Sequence, residues 1–139
     1  MIPADMLEKH DPDNGTIGDC FRCCIASILE MPAAAVPHFM GGANFQDETG
    51  QWHKDLNDWL RPQGLCYMEF NVDLGNWCFP NVSVYHVMSG KSPNFPGVGH
   101  SVVALNGKVV HDPAPSKKGL LGPYNDGMYC IGFIIKTGE

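Results

Sequence analysis

The hydrophobic periodicity of this chain changes character once, near residue 64, and that change limits the folds open to it. Upstream, Cys20 to Glu30 (CFRCCIASILE) set Phe21, Cys24, Ile25, Ile28 and Leu29 on one stripe, the spacing of an amphipathic helix. Pro32 stops it, because proline offers no N–H and clashes with the preceding turn. Asp19 stands where an N-cap stands, with a carboxylate able to accept an orphan backbone N–H. Thr49 to Arg61 carry Trp52, Leu56, Trp59 and Leu60, a second helix ended by Pro62 and Gly64.

Downstream the pattern is that of strands. Leu65–Phe70, Val82–Met88, His100–Leu105, Lys108–His111 and Tyr129–Ile135 are short, rich in Val, Ile and Tyr, and bounded by turn residues. Asn106-Gly107 joins two of them and predicts a tight hairpin, since both residues tolerate positive φ. Helices first and strands second predict an α+β fold, with the N-terminal helix packed on an antiparallel sheet. Residues 1–18 are polar and rich in Asp, Gly and Pro, and read as an extended loop. Ala33–Val36 have room for one short turn.

A chain of 139 residues suits a single domain, 1–139, and one of that size buries roughly two-thirds of its unfolded surface. With 44% hydrophobic and 17% charged residues it is globular in character rather than disordered. The net charge is −6 and the basic residues are scattered, so no face is suited to neutralising phosphates and no nucleic-acid partner is expected. No stretch approaches a membrane span, and MIPADMLEKHDPDNG has no apolar signal core. The expectation is a cytoplasmic protein with no membrane partner and reduced cysteines, since the six lack the spacing of a disulfide framework.

One of those six is placed for chemistry. A thiolate, not a thiol, is the nucleophile, and the N-terminus of a helix favours the anion through unpaired N–H groups and the dipole. Cys20 opens the first helix, whereas Cys23 and Cys24 lie one turn deeper. A base must come from elsewhere in the chain. His100 begins a predicted strand after Gly97-Val98-Gly99, where small residues, Gly99 in particular, let a substrate backbone approach. His100 lies six residues before Asn106 and Asp112 five after Gly107, so an antiparallel hairpin brings them together at its open end. Asp112 would then fix the imidazole through its second nitrogen. The Cys20 N–H and the Asn14 side-chain amide are candidate oxyanion donors. Gln46, Gln51 and Gln63 are poorly placed to replace Asn14.

At these positions the chain resembles a known group. Gly18-Asp19-Cys20-Phe21 opening a helix, then Gly99-His100-Ser101-Val102-Val103 and Val110-His111-Asp112-Pro113, look like the papain-like cysteine peptidase superfamily. The nearest branch is the bacteriocin-processing peptidases of the double-glycine-leader type. HSVVALNGKVVHDPAPSKKGL is also similar to small bacterial and bacteriophage proteins with a His-Asp-Pro-x-Pro-Ser pattern. The resemblance covers residues 14–120. It implies a papain-like fold, with Cys20 as nucleophile, His100 as base, Asp112 as orienting residue and a peptide or protein substrate. Asn14 stands where that group usually has Gln, and Ala114 where the phage-type proteins often have His.

Other readings stay open at this level. Cys20 can be a buried small hydrophobe and Asp112 a turn residue before Pro113. His111 competes with His100, but alternation turns it away from the face Asp112 uses, so a structural role is favoured. His10, His38, His53 and His86 have no matching partners and are expected to be structural or surface. Cys20, Cys23 and Cys24 with His100 or His111 have one zinc-ligand spacing but no second cluster, so neither a metal nor any other cofactor is expected. Trp52, Trp59 and Phe45 fit a core. Trp77, Phe79 and Phe95, in Gly- and Pro-rich loops, either line a cleft or pin their loops, and Trp77 is taken as a candidate substrate contact. Lys117-Lys118 fit a solvated loop tip. The expected reaction is cleavage of a peptide, isopeptide or related amide bond. Deamidation or acyl transfer is the chemical alternative, and a non-catalytic phage or bacterial host-interaction protein is the rival from another class.

Overall fold

The computed structural model describes residues 1–45 and 47–139. Gln46 lies outside them. Two helices, α1 (Cys20–Leu29) and α2 (Gln51–Leu60), precede and flank a five-stranded sheet. Its strands are β1 (Leu65–Val72), β2 (Tyr85–Lys91), β3 (Gly99–Leu105), β4 (Lys108–His111) and β5 (Tyr129–Lys136). They lie in the order β1-β5-β2-β3-β4, and every neighbouring pair is antiparallel. The fold class is therefore α+β. No helix of the described residues is long and apolar enough to cross a membrane.

The core forms where α1 lies on β2 and β3 and α2 lies on β1. Phe21, Cys23, Cys24 and Ile25 from α1 meet Leu56 and Leu60 from α2 and Tyr67, Val87 and Val103 from the sheet. Burying one such large apolar side chain contributes about 1.5–3 kcal/mol. The buried surface of α1 is wider than the predicted stripe, since Cys23, Ala26 and Ser27 are buried as well. Its last turn ends at Glu30, whose left-handed backbone (φ 59°) lets its N–H reach the Ala26 and Ser27 carbonyls, two residues ahead of Pro32.

The β3–β4 hairpin turns at Asn106 (φ 47°) and Gly107 (φ 82°), the double positive φ that a two-residue turn demands. A bulge interrupts the register between Val103 and Ala104: Ala104 pairs with Val109, but Val103 pairs with His111. The extra residue, Val110, shifts the end of β4 and re-aims the side chains that follow it.

The N-terminal loop ties the helix to this hairpin. Ile2 N–H donates to the Ser27 carbonyl (3.0 Å) and Ala4 N–H to Ser27 Oγ (2.9 Å). Met6 N–H donates to the Pro113 carbonyl (3.0 Å). Asp19 completes the tie, and here the structure corrects the expected N-cap. The fully buried carboxylate caps nothing in α1. It accepts instead from the Leu7 N–H (3.3 Å), the Glu8 N–H (3.1 Å) and Arg22 Nε (2.8 Å). A carboxylate with no solvent takes every strong donor within reach, and the loop supplies two that a solvated N-cap would not meet.

Candidate active site

Three elements deliver three side chains to one place. Cys20 is the first residue of α1, where backbone N–H groups have no partner inside the helix. His100 is the second residue of β3, and Asp112 follows the bulged end of β4. His100 Nε2 lies 2.7 Å from Asp112 Oδ1, and both side chains are buried. A carboxylate accepts, so Nε2 carries the proton and Nδ1 is the nitrogen left for Cys20, which lines the same two cavities as the imidazole.

The aspartate is itself firmly held. Its Oδ1 also accepts from the Ala114 N–H (2.9 Å) and its Oδ2 from the Gly119 N–H (2.8 Å). Burial works against the charged carboxylate. The bonds from His100, Ala114 and Gly119 outweigh that and hold it below the ordinary carboxylate range. Burial likewise works against a charged imidazole, but Asp112 and Cys20 overcome it and raise His100 to about 9. The surroundings of the ring thus favour its protonated form.

The other thiols near it are in a different state. Burial pushes Cys23 up to about 12, with Asp19 adding to the shift, and pushes Cys24 well above the ordinary thiol range. Cys130 is half-buried near Glu69, and burial raises it to about 12 as well. Cys20 is half-buried and faces two cavities.

Gly18, Cys20, Gly99 and His100 line both cavities, so the thiol and imidazole sit on the ridge between them. One, of about 290 Å³, is largely apolar, with Met6, Phe95, Val98, Ala114 and Pro115 in its wall. The other, of about 440 Å³, is walled by Phe21, Phe45, Trp52 and Tyr124 over a polar floor. Gly99 is required to be small: a Cβ there would stand 2.8 Å from Tyr124 Oη.

Two expected site residues are not brought here. Asn14 is exposed in a 3₁₀ turn (Pro12–Asn14), gives its Nδ2 to Asp11 Oδ2 (2.8 Å) and lines neither cavity. A short aspartate side chain three residues away, fixed by the turn, outcompetes a distant site. Trp77 packs against Phe70 and Phe79 and also lines neither cavity. Its loop folds onto the outer face of the sheet, where Phe79 stacks on His86, so Trp77 and Phe79 are loop anchors. Phe95 lines the apolar cavity.

Four residues behave differently from their sequence-level reading. His10 lines the apolar cavity and its Nδ1 accepts the Gly18 N–H (3.1 Å), two residues before the thiol. Phe45 and Trp52 wall the second cavity, although Trp52 also packs on the core. Lys117 is exposed at its loop tip, but its ammonium is also tied down, bonding Asp5 and the Asp112 carbonyl (2.8 Å). His111 donates from Nε2 to the Ala4 carbonyl (2.8 Å) and so ties β4 to the N-terminal loop. Glu69 was overlooked altogether. It shares strand parity with the core residue Tyr67, and only the register with β5 brings it to the second cavity.

Among the described residues no group of three or more His, Cys, Asp or Glu side chains is arranged to hold a metal ion. No family model, curated protein or solved structure matches the chain.

Proposed function

We propose that this protein is a papain-like cysteine hydrolase that cleaves a peptide, isopeptide or related amide bond through an acyl-enzyme on Cys20. The observation that carries this reading is the meeting of the half-buried Cys20, at a helix N-terminus, and the buried His100 on two shared cavities, with Asp112 at 2.7 Å from the imidazole. His100 takes the thiol proton and Cys20 attacks the carbonyl carbon, placing negative charge on the carbonyl oxygen. The free N–H of Cys20 at the first position of α1 faces that charge. Collapse of the adduct breaks the C–N bond, and His100 delivers its proton to the departing amine. Water, deprotonated by the imidazole, then releases the acid and regenerates the thiol. Asp112 keeps the ring in the tautomer and orientation this cycle needs, without itself taking the proton.

The same acyl-enzyme serves deamidation or transfer to an amine, so the acylation half-reaction is the one to test first. p-Nitrophenyl acetate supplies an activated acyl group without specificity. The expected result is a burst of p-nitrophenol close to one equivalent, with the acetyl group found by mass spectrometry on Cys20 and no burst in Cys20→Ala or His100→Ala. Acetylation spread over Cys78 and the lysines, with no burst, would favour a binding protein that has the fold without the chemistry. A Cys20→Ala pull-down then retains the natural peptide or protein partner.

A further inference from the structure

The two cavities beside Cys20 differ in a way that bears on what enters them. The floor of the second is a row of polar residues, one from each of four neighbouring strands: Glu69 from β1, Cys130 from β5, Ser89 from β2 and Ser101 from β3. The register builds the row. Ser89 pairs with both Cys130 and Ser101, and Glu69, paired with Gly132, lies diagonal to Cys130 on the same face. The two serine hydroxyls bond each other at 2.7 Å.

Glu69 receives only neutral donors from the fold. Tyr67 Oη donates to its Oε2 (3.1 Å), and Cys130 lines the cavity beside it. Tyr67 reaches it by lying over Gly132, where a Cβ would stand 1.8 Å from Tyr67 Oη. Among the described residues no Lys or Arg pairs with Glu69, and none lines this cavity. The side chain is exposed, so its charge is reachable from the cleft. The same cavity is walled by the rings of Phe21, Phe45, Trp52 and Tyr124. A carboxylate whose one side-chain donor is neutral, in a cavity that aromatic rings also line, attracts a cation through its charge, and the rings add to the attraction where the cation meets a ring face. The apolar cavity on the other side of Cys20 has Lys9 in its wall instead.

We infer that the second cavity is a specificity pocket for a basic side chain, ammonium or guanidinium, of the residue adjoining the scissile amide, with Glu69 as its counter-charge. The assignment of a substrate rests on the acyl-transfer reading of Cys20, but the preference for a cation does not require turnover.

Matched methanethiosulfonates test it. The 2-aminoethyl reagent carries a cation and the 2-sulfonatoethyl reagent an anion, and both form a mixed disulfide with a reactive thiolate. Modification of Cys20 is followed by mass spectrometry in the full chain and in Glu69→Gln, Glu69→Lys and Asp13→Asn. Glu69→Gln keeps an acceptor for Tyr67, and Asp13 is an exposed acid outside both cavities. The expected result is a cation preference that falls about tenfold in Glu69→Gln, the size of effect one nearby charge has on a pair of opposite probes. The preference reverses in Glu69→Lys and is unchanged in Asp13→Asn. An unchanged ratio in Glu69→Gln, or an equal fall in Asp13→Asn, overturns the cation pocket while leaving Cys20 chemistry intact. Failure of both reagents at Cys20 overturns the acyl-transfer reading and the pocket with it.

Discussion

Two neighbouring turns of α1 hold three thiols in opposite conditions. Cys20, on the first turn, is half-buried and opens on two cavities that His100 also lines. Cys23 and Cys24, three and four residues on, are fully buried, and burial holds both thiols protonated far above neutral pH. Residue type is constant across this comparison and position is the variable. The first turn supplies free N–H groups and a partner from another element, and the second supplies only packing. Cys23 shows the packing role in detail: its Sγ lies 3.4 Å from the Asp5 carbonyl, one more tie between α1 and the N-terminal loop.

The sharpest way to break the contrast is substitution. Cys20→Ala is expected to lower the rate of acylation by p-nitrophenyl acetate about 10⁵-fold or more, because no other group replaces a lost nucleophile. The fold should survive it, since Cys20 is not part of the packed core. Asp112→Asn comes next. It can give the imidazole the wrong tautomer, and a fall of about 10²–10⁴-fold in the same assay is expected. It also costs stability, because the carboxylate accepts from His100, Ala114 and Gly119.

The pH dependence is a third test. With His100 raised from an ordinary value of 6.5 to about 9, acylation should decline above about pH 9 as the imidazolium is lost. The sign for stability is the same. A group whose pKa is raised by folding contributes fully below its unfolded value, and that contribution disappears as the pH rises through the folded one. Thermal unfolding should therefore show Tm declining between about pH 6.5 and 9, and the decline should be smaller in Asp112→Asn. The smallest effect belongs to the second turn. Cys24→Ala is expected to cost about 1–2 kcal/mol in chemical denaturation and to leave the acylation rate within about twofold of the wild type.

The same distinction explains what the sequence made legible. Periodicity located both helices and all five strands, because each element buries one face and the apolar residues repeat accordingly. Asn106-Gly107 located the hairpin that carries His100 and Asp112 toward each other, since the turn constrains the backbone locally. What escaped was decided by tertiary competition. Asp19 takes the N-cap position that local pattern predicts, but burial gives its carboxylate to Leu7, Glu8 and Arg22. Asn14 was placed by its distance from Cys20, but Asp11 holds it in a solvent-exposed turn. The bulge at Val110, the lysine that braces the Asp112 carbonyl and the polar row ending at Glu69 depend on register between strands far apart in the chain. No local pattern encodes them.

Iodoacetamide alkylation across a pH series, with each adduct mapped by mass spectrometry, tests the central claim most directly. If His100 holds the Cys20 proton, Cys20 should be alkylated at mildly acidic pH many times faster than a model thiol, while Cys23 and Cys24 stay unmodified in the folded protein. His100→Ala should abolish that advantage. Alkylation of Cys20 no faster than the model thiol at pH 5–6 (roughly three units below the ordinary thiol value) would contradict the account.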